Sequence, residues 1–209
     1  MLIVLLNCSS SMDERFRGST VLAPTARSSA APRKIEAACQ VLRECLGSLP
    51  PSETVVVLGF AGGVGELARG RAGDRLALES RIASMDRDGR ADLGAAMASA
   101  ARVLRSGSIH QPRRIILITD GLQEARPAER LDRIIDTLAW FATPIDICLI
   151  DPTRRGLTLA RFIARAGIVT TAESADRLGA AVGALFAYYR NAHYDRDAGT
   201  GSSASGAAP

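Results

Sequence analysis

The sequence predicts an α/β domain: a doubly wound, mostly parallel six-stranded sheet with one short antiparallel edge strand and helices on both faces. Two observations carry that prediction. Four aliphatic runs, residues 2–6, 54–60, 115–119 and 145–150, read as strands buried on both faces. Segments of helical period separate them, and strands alternating with helices make a parallel sheet covered on each side.

The elements follow in order. Leu2 to Leu6 is the first strand, and the polar, small-residue stretch 12–31 is a long loop. Pro32 opens a helix whose face carries Ile35, Ala38, Cys39, Leu42, Leu46 and Leu49, and Pro50-Pro51 closes it. Thr54 to Phe60 is the second strand; Gly62-Gly63 turns the chain, and Gly65 to Arg69 returns as the antiparallel edge strand. Helices are expected over 74–85 and 92–105, separated by the polar loop MDRDGRA. Strand 115–119, helix 127–141, strand 145–150, helix 157–166, strand 168–171 and helix 174–190 complete the alternation. In the last helix Leu178, Val182, Leu185 and Tyr189 share a face. Residues 1–190 form one domain on this reading. Residues 191–209, ending GTGSSASGAAP, form a disordered tail.

Composition narrows the function classes. The 26 basic residues, 25 of them arginine and one lysine (Lys34), are scattered and set against 22 acids. With 4% aromatic residues, the chain lacks the concentrated charge and stacking platforms of a nucleic-acid binder. Cys8, Cys39, Cys45 and Cys148 form no CxxC pair and lie mostly in apolar segments, which suits free thiols in a reducing, cytoplasmic setting. His110 and His193 stand alone, so neither a histidine zinc site nor a Ser-His-Asp triad assembles. The opening run lacks a positive n-region and is too short for a signal h-region or a membrane span.

Polar residues cluster at two strand ends. Asn7-Cys8-Ser9-Ser10-Ser11 follows the first strand, and Thr119-Asp120-Gly121 follows the run IILIT. In an open parallel sheet, ligands bind beyond the carboxyl ends of strands where the strand order reverses. If those two strands are neighbours, Asn7, Ser9, Ser11 and Asp120 converge on one crevice, a hard-oxygen set suited to magnesium.

In these residues the chain resembles the von Willebrand factor A domain family. The metal-ion-dependent adhesion site of that family joins Asp-x-Ser-x-Ser, a distant Thr and a distant Asp on a Rossmann-like fold. NCSSS matches the first motif with Asn7 in place of the aspartate, and Asp120 in IILITDG matches the last. In GRADLGAAM, Ala91 stands at the threonine position. The resemblance spans residues 1–190. It implies a metal site at Asn7, Ser9, Ser11 and Asp120, with magnesium binding weak or absent. It also implies a partner-binding rim at Ser9, Ser11, Ala91, Asp92 and Asp120. Bacterial domains of this type often work beside an AAA+ ATPase or in stress and defence systems, so the expected partner is a protein of that kind.

Asn7 keeps an oxygen but removes one of two carboxylate charges. At ~4 Å and an effective dielectric of ~20 each unit charge pair is worth about 4 kcal/mol before desolvation. Ala91 supplies no oxygen, and the Asp92 side chain leaves the backbone in another direction. The alternative to a weakened metal site is a hydrogen-bonded remnant, with Ser9 and Ser11 capping turn amides and Asp120 accepting from them.

Two other chemistries compete. Gly63-Val64-Gly65-Glu66-Leu67-Ala68 matches G-x-G-x-x-A, which points to a nucleotide- or dinucleotide-binding enzyme using residues 59–68; Gly70 and Gly73 interrupt the helix that motif needs. Ser9 and Cys8 lack a base and the G-x-S-x-G turn, so catalysis is not expected. The loop DRDGRAD, Asp86 to Asp92, lacks calcium-hand spacing and reads as a solvated rim.

Overall fold

A computed structural model describes residues 1–17, 32–72, 91–106, 113–121, 132, 135–136, 138, 142–164 and 167–193. Six strands form one sheet: β1 (Leu2–Asn7), β2 (Thr54–Phe60), β3 (Val64–Arg71), β4 (Arg114–Thr119), β5 (Ile145–Ile150) and β6 (Val169–Ala172). Their order is β3-β2-β1-β4-β5-β6. All neighbours are parallel except β2 and β3, which form the antiparallel hairpin at one edge. β1 is central and pairs with both β2 and β4, with Leu6 beside Gly59 on one side and Ile118 on the other. The order reverses between β1 and β4, so the crevice expected from the sequence opens beyond their carboxyl ends.

Alternation along each strand divides the core. Leu2, Val4, Leu6, Val55, Val57, Ile116, Ile118, Cys148 and Ile150 pack on one face with α1 (Lys34–Gly47) and the long C-terminal helix Ala175–His193. Ile3, Leu5, Val56, Leu58, Ile115, Leu117, Ile147 and Leu149 pack on the other with α2 (Leu93–Ser106) and α3 (Arg154–Ala164). In this C-terminal helix, α4, Leu178, Val182, Leu185 and Tyr189 are all fully buried. Two buried faces per strand explain why the runs lack a polar alternation.

Helix ends differ from expectation where capping residues decide them. Arg33 is extended and its amide donates to Glu36 Oε2 at 3.0 Å, so α1 starts at Lys34 rather than Pro32. Thr153 Oγ1 accepts the Gly156 amide at 3.0 Å, which starts α3 three residues before its expected position. α4 runs on through Asn191 to His193, past the expected end at 190. The helix expected over 74–85, most of that over 127–141, and the tail from 194 lie outside the described residues; residues 132, 135, 136 and 138 are helical. At Gly167, a Cβ would meet the Ile145 carbonyl oxygen at 1.9 Å, so only glycine lets the chain enter β6 this close to β5.

All four cysteines are free and buried. Burial pushes the Cys148 thiol up to about 12 against a hydrogen bond from Thr170, and burial together with Glu44 pushes Cys45 up to about 11. The native chain therefore holds these protons more tightly than the unfolded chain. Their contribution to stability is complete below the ordinary thiol value of 9.0 and is lost as pH rises toward 11 and 12. Denaturation midpoints should accordingly fall between these limits. At pH 8, iodoacetamide should label native Cys45 about 100-fold, and native Cys148 about 1000-fold, more slowly than the urea-unfolded chain. Equal labelling rates in the two states would contradict the buried placement.

Candidate functional site

The crevice is built from four chain segments. β1 ends at Asn7, and Cys8 continues its pairing through an amide bond to the Phe60 carbonyl at 2.8 Å. The chain then tightens into a 3₁₀ turn, Ser10–Asp13, anchored by the buried Met12. β4 ends at Thr119 and delivers Asp120. The start of α1 delivers Lys34, and the residue after β5 delivers Asp151.

Proton accounting fixes how these side chains are used. The Thr119 hydroxyl donates to the Gly121 carbonyl at 2.8 Å, so toward Asn7 it can only accept. Asn7 Nδ2 supplies that bond at 3.0 Å and a second to Asp120 Oδ1 at 3.1 Å. Asn7 Oδ1 in turn accepts the Ser9 amide at 2.9 Å. A flipped amide would set its oxygen against the Asp120 carboxylate, so the orientation follows from its neighbours. Ser11 donates to Asp120 Oδ1 at 3.0 Å, which leaves Ser9 as the donor in the 3.1 Å contact between the two serine hydroxyls.

The second carboxylate oxygen of Asp120 faces Lys34. The Lys34 ammonium lies 3.3 Å from Asp120 Oδ2, 3.3 Å from Asp151 Oδ2 and 3.8 Å from Glu14 Oε2. Lys34 is 2% exposed, and the Asp120 and Asp151 side chains are almost as deep. The Lys34 amide donates to the Glu14 carbonyl at 3.1 Å, pinning the helix start against the 3₁₀ turn. Asp151 adopts φ 48°, a left-handed conformation normally left to glycine, and its carboxylate also accepts the Arg17 amide at 3.2 Å.

The sequence-derived set divides here. Asn7, Ser9, Ser11 and Asp120 form one hydrogen-bonded chain. Ala91 lines the adjacent pocket, of about 510 Å³, with Ser11, Asp120, Lys34 and Asp151. Asp92 serves the backbone: its Oδ1 accepts the Ala95 amide at 2.9 Å and caps α2. Lys34 and Asp151 escaped the sequence reading. The signal for Lys34 was its type, the single lysine among 26 basic residues, placed at a helix N-terminus where the dipole disfavours a cation. The signal for Asp151 was its position directly after an aliphatic run.

The competing chemistries fare differently. Gly65 pairs with Gly59 inside the β2–β3 hairpin, so the G-x-G-x-x-A segment is strand and has no helix N-terminus behind it. The Cys8 thiol is buried and donates to the Leu6 carbonyl at 3.5 Å. Among the described residues no three His, Cys, Asp or Glu side chains are grouped so as to hold a metal ion.

Comparison with known proteins agrees with this architecture. The family profile described as the von Willebrand factor type A domain matches residues 2–123, more than half of the chain. A von Willebrand factor type A structure from Catenulispora acidiphila is similar, at 21% identity and TM-score 0.69, over 89% of this chain and 41% of that one. BatB from Bacteroides thetaiotaomicron is similar at 16% identity and TM-score 0.63, over 90% of this chain and 97% of that one. So is mussel proximal thread matrix protein 1 with a zinc-occupied adhesion motif, at 14% identity and TM-score 0.63, over 90% and 45%. Such identities speak for the fold. The chain spans about two-fifths of the Catenulispora structure's length. No curated protein matches.

Proposed function

The chain belongs to the von Willebrand factor type A domain family, whose members are generally protein-interaction modules, and from that premise we propose that it is a non-catalytic module which docks a partner protein at this crevice. The partner approaches the rim at Ser9, Ser11, Ala91, Asp92 and Asp120, and binding needs little or no magnesium. The observation that supports this most is the pocket beside Asp120. It brings residues 109 apart, Ser11 and Asp120, into one hydrogen bond and opens directly on them. Arg17 and Arg155 also line it and would meet an acidic group of the partner. An AAA+ ATPase or a stress- or defence-system component in the cytoplasm is the partner class this reading favours, and four buried free thiols suit a reducing compartment. No described helix is long and apolar enough to cross a membrane.

The test is affinity capture with tagged wild type, Ala91→Arg at the rim, and Arg69→Glu on the far edge strand. One protein should be retained by wild type and Arg69→Glu and be reduced about tenfold or more by Ala91→Arg. Equal retention by all three would move the docking surface elsewhere. Tight binding of NAD or ATP would revive the enzyme alternative.

A further inference from the structure

We infer that the Lys34 ammonium is the cation of this site: the chain carries covalently the positive charge that a divalent ion supplies in the family's metal-binding members, and the crevice does not take up magnesium or manganese. This deepens the reading above, and rests on it only for which crevice a partner uses.

The donor set decides against an ion. A divalent cation needs oxygen lone pairs; the serine hydroxyls and the Asp120 and Asp151 carboxylates offer some, but position 7 turns an NH₂ toward Asp120 and Lys34 sets an ammonium between the two carboxylates. Asn7 turns its NH₂ toward Thr119 and Asp120 and commits its oxygen to the Ser9 amide. Both Asp120 oxygens are already taken, one by Asn7 and Ser11 and the other by Lys34. Ala91 has no side-chain oxygen to offer. An ion lodged against Asp120 would have to displace the ammonium held 3.3 Å away.

The charge logic is consistent with that. The buried set Asp120, Asp151 and Lys34 sums to one negative charge. An aspartate at position 7 would raise this to two and place two carboxylates about 3 Å apart, an arrangement that disfavours ionisation of both without a stronger cation. Asparagine at 7 and lysine at 34 therefore form one coherent alternative to the metal. A compact ammonium on a flexible stem suits a point-charge position better than the planar guanidinium used at the other 25 basic positions of this chain.

The experiment measures manganese binding by electron paramagnetic resonance, together with thermal shift, on the full chain. Four proteins are compared: wild type, K34M, N7D/A91T and N7D/A91T/K34M. Wild type should leave millimolar manganese free, with its melting temperature unmoved by magnesium or EDTA. N7D/A91T should gain little, because the ammonium stays. The triple variant should bind manganese about tenfold or more tightly than the double variant, or, if it is unfolded in EDTA, should melt at a higher temperature in manganese. K34M alone reports whether removing the ammonium suffices to admit an ion, and weak binding there agrees with the inference. Sub-millimolar stoichiometric binding by wild type would overturn it whatever the variants do. So would equal affinity of the double and triple variants, or a triple variant that manganese neither binds nor stabilises. Partner capture separates the two readings: capture lost in EDTA but still sensitive to Ala91→Arg defeats the ammonium assignment alone. Capture indifferent to both EDTA and Ala91→Arg defeats the docking reading alone.

Discussion

Lys34→Met is expected to destabilise the domain by about 3–5 kcal/mol, read as a lower urea midpoint at unchanged m-value. Each carboxylate lies 3.3 Å from the ammonium, and at an effective dielectric of ~20 each attraction is worth about 5 kcal/mol before desolvation is counted. Methionine fills much of the same volume, so the loss is electrostatic rather than a cavity. It leaves two buried carboxylates close together with one cation fewer. Asp120 keeps its bonds from Asn7 and Ser11, and Asp151 keeps the Arg17 amide, which holds the cost within that range. The diagnostic is compensation: adding Asp120→Asn and Asp151→Asn to Lys34→Met should recover a large part of the loss, because no charge is then orphaned. A Lys34→Met protein within 1 kcal/mol of wild type, by the exposed-pair scale of about 0–1 kcal/mol, would mean that solvent already screens the triad.

Much of this domain is legible in its sequence, for a physical reason. A strand buried on both faces must be aliphatic at nearly every position, so LIVLL, TVVVLGF, IILIT and IDICLI declare themselves locally. The antiparallel hairpin is readable from Gly62-Gly63, and the strand-end rule alone brings Asn7, Ser9, Ser11 and Asp120 to one crevice. Helix starts were less legible. A cap is one side chain bonding one amide, and Thr153 looks like any loop threonine until its geometry is seen.

Lys34 and Asp151 show where local reading stops. Lys34 reaches Asp120 across 86 residues of sequence, and no spacing rule connects them. The connection depends on the 3₁₀ turn after β1 meeting the start of α1, through the Arg15–Arg33 bridge and the Lys34 amide on Glu14. A departure from a motif can also mislead when judged one position at a time. Asn7 alone looks like decay of a metal site. Asn7 taken with Lys34, whose ammonium lies 3.3 Å from Asp120, fits the proposed replacement of an ion by an ammonium, and only three-dimensional proximity brings the two together.

Asp146→Ala is expected to cost about 3–5 kcal/mol as well, but at the opposite end of the sheet and without touching the crevice. Asp146 sits at the start of β5, fully buried, and holds Arg114 through two of its guanidinium nitrogens, Nε and Nη2. It also accepts the Ile168 amide at 2.8 Å, which sets the entry to β6. Burial disfavours the charged guanidinium, yet the Asp146 bonds and charge outweigh it and leave Arg114 above its ordinary pKa. Truncation therefore strands a buried cation and a backbone donor together. The Tyr188 ring 4.4 Å from the guanidinium carbon offsets a small part of that through cation–π attraction. Asp146→Asn should cost roughly half as much, since its amide oxygen can still accept from Arg114 Nη2 and the Ile168 amide, as Oδ1 does in the native chain. Chemical denaturation measures both, and partner affinity per folded molecule should be the same in each variant as in wild type. A loss of affinity at equal folded concentration would mean that strain at the β5–β6 entry reaches Asp151 at the strand's far end, and that the two ends of the sheet are coupled.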